Sequence, residues 1–318
     1  MYTYAKEKAR AQPSASSHEQ GDNTMTERER IAIQAQRVWL PRTLRTYQQA
    51  FHEIYKIYGE TVYNEIWNAL SDSIPLNSDR NLTAEHMAAI ADFIAMRDLI
   101  NSKIHTLTTP NNLPVDVGEI RRYLHKIPSN VLQKAFSLGQ VLTATNENIT
   151  NHPRMTKYKD FSPRGWPAGQ TLQSVSGMGA PGKVALPGTH PDETIISLSK
   201  KEGGGWSLAG GHSSTNLVLH EYGHAIDRSF GEKALMGPKG TGEAGDYLSR
   251  RPSFISAWEK DLGNTSPESF DNYYWQGGTS GGAEEAFAEG FSDLYGKTEQ
   301  RNWPNIKAYL ARKMKSVT

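Results

Sequence analysis

Residues 214–232 read STNLVLHEYGHAIDRSFGE, two histidines four positions apart with a glutamate between them, set among apolar residues. A buried polar group must be paired, and a buried charge must be paired or bind a metal. On an α-helix, residues i and i+4 lie on one face a turn apart. His220 and His224 therefore present two imidazoles to one point, the arrangement a tetrahedral zinc ion takes. Glu221, beside the first ligand, is placed to act as general base toward a water on that metal. Leu217, Val218, Leu219, Tyr222, Ala225 and Ile226 fill the remaining faces, which predicts a buried helix. Ser213, Ser214 or Thr215 can cap its start and Gly231 suits its end.

A catalytic zinc site takes three protein ligands and keeps a fourth position open. Residues 281–296, GGAEEAFAEGFSDLYG, predict a second helix, with Phe287, Phe291 and Leu294 toward the core. Glu285 and Glu289 share the opposite face, again one turn apart. One carboxylate of such a pair can ligate the metal while the other orients a ligand histidine. Spacing alone leaves Glu284, Glu285 and Glu289 all eligible as ligand.

Outward from these helices the chain reads as α+β. Over 26–112 the apolar residues recur at helical spacing, as in Leu44, Tyr47, Phe51, Ile54, Tyr55 and Tyr58, and Thr83 is a natural cap for AEHMAAIADFIAMRDLINSKI. Over 113–318 short helices at GEIRRYLHKI and SNVLQKAFSLG alternate with candidate strands at QVLTATN, KVALP and ETIISLS. Residues 1–25 are polar and read as a disordered leader, suited to a delivery signal and lacking the apolar core of an ordinary secretory one. No apolar run is long enough for a transmembrane helix, so stable membrane insertion is not expected. Lys and Arg number 35 against 34 Asp and Glu, so no net charge draws the chain to nucleic acid. There is no cysteine, which excludes a thiolate nucleophile, a cysteine zinc site and the cysteine-ligated amide hydrolases that also carry HExxH. A non-catalytic binding module keeping this fold is the competing reading. It has no use for Glu221, and a structural metal site normally closes its fourth position with protein.

At HEYGHAID (220–227) and EAFAEGF (285–291) the sequence resembles the catalytic domain of anthrax lethal factor and its relatives, which include bacterial Pro-Pro endopeptidases. QVLTATNENITNHP and RGWPAGQTLQSVSG are weaker echoes. The resemblance implies a gluzincin-type zinc metalloprotease, with a thermolysin-like or lethal-factor-like domain built on a small twisted sheet and an HExxH helix. It assigns His220, His224 and Glu285 to one catalytic Zn2+, Glu221 to the general base and Glu289 to the carboxylate that orients a histidine. It also implies a tyrosine shortly before the glutamate ligand that stabilises the oxyanion; we take Tyr274 for this, with Tyr273 as the alternative. Asp227 either holds an imidazole or caps a neighbouring segment. The strand ETIISLS is expected to hold an extended substrate at a sheet edge. The implied partners are a protein or peptide substrate, a host protein, and a secretion chaperone or delivery apparatus. The implied location is outside the producing cell by a specialised route, with action in a target-cell cytosol.

Overall fold

The computed structural model describes residues 46–71, 74, 83–107, 117–162, 169–179, 192–200, 206–208, 214, 216–231, 247–263, 273–275, 281–296 and 301–317. The polar segment 1–25, the KVALP strand and the caps Ser213 and Thr215 lie outside these residues.

Helix α1 (Tyr47–Leu70) starts where the Thr46 side chain accepts from the Gln49 amide, and it breaks at Gly59, whose φ of 81° is one that glycine adopts at little cost. Helix α2 (Ala84–Lys103) is capped by Thr83, as the sequence predicts. Ile54, Val62 and Ile66 of α1 pack on Ile90, Phe93 and Ile94 of α2, while Met96 and Ile100 of α2 belong to the main core. One helix thus serves both cores, and the Arg97–Glu65 ion pair fastens α1 to it.

Helical spacing carried past Lys103 in the sequence, but Ile104–Thr106 forms a strand, β1. Its backbone pairs in parallel with β2 (Val141–Thr145), Ile104 opposite Leu142, and this sheet register overrides the local preference. Helices α3 (Gly118–Leu124) and α4 (Ser129–Ser137) provide the crossover that two parallel strands require. Strand β4 (Glu193–Lys200) runs parallel to β2 on one side and antiparallel to β3 (Gly177–Met178) on the other. Strand β5 (Trp206–Leu208) pairs with the end of β4, and the path across the sheet is β1-β2-β4-β3. ETIISLS is therefore an interior strand, and the expectation that it offers an edge to substrate is corrected: β2 and β3 occupy both its sides.

Alternation along β4 divides the layers. Ile196 and Leu198 face the main core, and Ile195 faces a second cluster with Ile149, Met155, Leu172 and Val175. On that second face Glu193 accepts from Thr143 Oγ1 at 2.5 Å and from Arg154 at 3.0 Å, with His152 Nε2 at 3.3 Å. Burial works to raise the Glu193 pKa, but these hydrogen bonds and charges outweigh it and bring it down to about 2.

The main core is completed by α5 (Leu217–Ser229), α6 (Pro252–Leu262), α7 (Gly282–Gly296) and α8 (Pro304–Lys315). The result is a mixed α+β fold, helices packed with a small mixed sheet. Among the described residues no helix is long and apolar enough to cross a membrane.

Candidate metal centre

Helix α5 carries the HEYGH stretch. Its cap is Asn216, whose side chain accepts from Leu219 N at 3.0 Å, in place of the serines and threonine the sequence offered. The Asn216 carbonyl also accepts from Ser292 Oγ on α7, which ties the two helices at this end. At the other end buried Arg228 donates to Asp192, just before β4, at 2.5 Å. Between these anchors α5 and α7 approach closely at Gly223, where a Cβ would lie 2.9 Å from Ala288 Cα and 3.1 Å from its carbonyl oxygen. Ala288 precedes Glu289, so this contact brings the carboxylate face of α7 against the histidine face of α5.

Three donors converge there. His220 Nε2 and His224 Nε2 each lie 3.3 Å from one oxygen of Glu285, and the three ligand atoms fall within 4.8 Å of one another. The two 3.3 Å separations are close to the roughly 3.4 Å edge of a tetrahedron with bonds of about 2.0–2.1 Å, so the cluster could hold a metal ion. Two imidazoles and a carboxylate, with no thiolate, are donors able to coordinate a metal ion. Glu289, wholly buried, meets His220 Nδ1 at 3.0 Å and fixes which ring nitrogen faces the centre. Glu284 is turned away to Arg250, whose Nε and Nη2 donate to it at 2.9 and 2.5 Å. Of the three carboxylates that spacing left eligible, only Glu285 sits with both imidazoles.

The electrostatics point the same way. Burial opposes charge on His220, yet the carboxylates of Glu285 and Glu289 beside it lift its pKa to about 10. His224 is likewise raised against burial, chiefly by the Glu285 charge. Burial would raise Glu285, but the two histidines hold it well below the usual carboxylate range. Negative charge in excess around two imidazoles is a setting that takes a cation.

Glu221 is buried beside this cluster, and Gly179 N donates to its Oε2 at 2.5 Å. Such an approach requires glycine. A Cβ on Gly179 would lie 2.5 Å from His224 Cβ and 2.6 Å from the Glu221 carbonyl oxygen, and one on Gly177 would lie 2.7 Å from Glu221 Cγ. Edge strand β3 is thereby laid directly over the HExxH turn.

One placement differs from the sequence reading and another decides between two roles it left open. Tyr274, chosen there for the oxyanion role, is buried with its hydroxyl 3.0 Å from Arg301 Nη2, its ring edge-on to Trp303 and its carbonyl accepting from Trp258 Nε1. Tyr273 instead faces the cluster. Burial, the Glu285 charge, a hydrogen bond with Glu285 and the Glu221 charge all raise its pKa far above the ordinary phenol value. The two rings meet edge-on with centroids 5.5 Å apart, and it is Tyr274 whose ring packs against Trp303 and the Arg301 guanidinium. Asp227, for which two roles stood open, accepts from Ser249 N at 2.7 Å and Ser249 Oγ at 2.6 Å, so it caps the 248–250 turn and orients no imidazole. Burial raises its pKa to about 7 despite those two bonds.

The sequence model of the family described as anthrax toxin lethal factor, N- and C-terminal domain, matches residues 105–309. The chain belongs to the anthrax toxin lethal factor family. The matched region of this lethal factor family member holds the sheet, both site helices and the tyrosine turn. A Pro-Pro endopeptidase of Paenibacillus alvei is 31% identical over 115 residues, which are 36% of this chain and 45% of that protein. This chain thus spans less than half the length of that curated relative. A solved structure of the Pro-Pro endopeptidase from Paenibacillus alvei aligns at 22% identity with a TM-score of 0.47, over 68% of this chain and 99% of that one.

Proposed function

We propose that this protein is a zinc-dependent endopeptidase that hydrolyses a peptide bond in an extended segment of a selected protein. The observation that carries the reading is the pair of imidazole nitrogens, each 3.3 Å from one Glu285 oxygen, with Glu221 beside them. His220, His224 and Glu285 hold the metal, which when bound supplies Lewis acidity and a water of lowered pKa. Glu221, oriented by the Gly179 amide, takes the proton of the attacking water and passes it to the leaving amine. The Tyr273 hydroxyl, kept protonated by its surroundings, donates to the oxygen that becomes negative as the carbonyl is attacked. The substrate lies extended along the outer edge of β3, which adjoins Glu221. The name of the Paenibacillus relative makes bonds between prolines the first class of bond to test. Action on proteins of another cell is the corresponding biological proposal.

The test compares new protein N-termini in a eukaryotic lysate, supplemented with Pro-Pro peptides, after treatment with zinc-loaded protein or its Glu221→Ala variant. A few cuts unique to the unsubstituted protein are expected, with zinc bound equally by both and turnover lower by about 10²–10⁴ in the variant. Identical profiles from two zinc-loaded proteins would favour a binding module that keeps a protease fold.

A further inference from the structure

The metal centre has a support that lies outside both sequence motifs. Glu289 is wholly buried, and a carboxylate taken out of water needs a countercharge. His220 meets one of its oxygens at 3.0 Å, but an imidazole that turns Nε2 to a metal keeps only a neutral N–H for Glu289. The countercharge comes from Arg301, whose Nε lies 3.6 Å from the other oxygen, Oε1. The two carboxylate oxygens thus face different partners, one in a hydrogen bond with His220 and the other in an ion pair with Arg301.

Arg301 is itself held from several directions. Its Nη2 donates to the Tyr274 hydroxyl at 3.0 Å, and its guanidinium carbon lies 5.1 Å from the Tyr274 ring centroid and 5.6 Å from that of Trp303. Its backbone amide donates to Asp293 on α7 at 3.4 Å. A planar guanidinium can reach a carboxylate and a phenol through different nitrogens while stacking on rings, which an ammonium cannot do.

We propose that Arg301 is a positioning residue of the metal centre: it holds Glu289 in register with His220, and through Tyr274 it ties the 273–275 turn to the same helix. The proposal rests on the reading of His220, His224 and Glu285 as metal ligands. Its action on the metal passes through Glu289, so the two residues form one unit whose effects do not add.

The experiment measures the zinc dissociation constant, by competition with a chromophoric chelator, for the unsubstituted protein, Glu289→Gln, Arg301→Gln and the double variant. Loss of a carboxylate that orients a ligand histidine weakens binding by about 10–100-fold, and Arg301→Gln is expected to weaken it by about tenfold. The double variant is expected to bind within about threefold of Glu289→Gln alone, since Arg301 acts on the metal only through Glu289. Losses that multiply in the double variant, or an Arg301→Gln protein that binds zinc as tightly as the unsubstituted one, overturn the proposal. Should Arg301→Gln fail to fold by circular dichroism, Arg301→Lys carries the same cycle. It retains the charge, so it is expected to fall between the unsubstituted protein and Glu289→Gln, and affinity below that of Glu289→Gln overturns the proposal. Failure of the unsubstituted protein to bind zinc would instead overturn the metal reading on which the proposal stands.

Discussion

Tyr273 and Tyr274 are adjacent, chemically identical and oppositely used. Tyr273 lies near enough to Glu285 and Glu221 for them to raise its pKa, whereas Tyr274 gives its hydroxyl to Arg301 and its ring to Trp303. If the Tyr273 hydroxyl stabilises the developing oxyanion, Tyr273→Phe lowers kcat by about 10²–10³ with zinc affinity retained. Tyr274→Phe leaves the facing hydroxyl in place and costs stability, on the order of 1–3 kcal/mol for the Arg301 partner it removes. Steady-state rates with zinc titrations, beside urea unfolding, separate the two; a larger rate loss for Tyr274→Phe would reverse the assignment. At this scale the sequence was legible wherever spacing on one helix decides direction, so His220, His224, Glu285 and Glu289 converge as helical geometry requires. It was illegible where direction depends on distant partners. The choice between the tyrosines rests on Trp258, Trp303 and Arg301, and the role of Asp227 rests on Ser249, none of them neighbours in sequence.

At the scale of elements, the active turn depends on three layers approaching more closely than ordinary side chains allow. Helix α5 meets α7 at Gly223, and β3 with the residue after it crosses α5 at Gly177 and Gly179. The obstacles to a Cβ at Gly179 are backbone and the root of a side chain, which cannot swing aside. Gly179→Ala is therefore expected to push β3 off the helix, at about 1–3 kcal/mol of stability, and to withdraw the amide that orients Glu221. Activity should fall further than zinc affinity, and unchanged turnover would show that the Gly179 amide has no part in placing Glu221. The long helices and the β4 strand could be read from periodicity. A two-residue strand such as β3 has no period to read, and β1 continues a helical pattern until pairing with β2 takes over. The SVSG echo stood at the right place, but glycine spacing does not say what the backbone lies against.

Across the whole molecule, the site joins parts of the chain that meet only on folding. His220 and His224 come from α5, Glu285 from α7, Glu221's amide partner from the residue after β3 and Arg301 from the approach to α8. Metal binding is then coupled to folding, and zinc at 100 times its dissociation constant adds about 2.7 kcal/mol of stability. The sequence conveyed the α+β class and the two site helices, because hydrophobic period and metal spacing are local signals. It did not convey how α2 shares two cores, since Phe93 and Ile100 lie on one helical face and differ in which cluster packs against them. The central claim is that His220, His224 and Glu285 hold one zinc. X-ray absorption with metal analysis tests it on the purified protein and on its His220→Ala, His224→Ala and Glu285→Ala variants. One zinc per chain is expected, with two imidazole nitrogens and oxygen for its remaining ligands, and loss of that zinc in each variant. No zinc, or zinc retained undiminished when these residues are replaced, would contradict it.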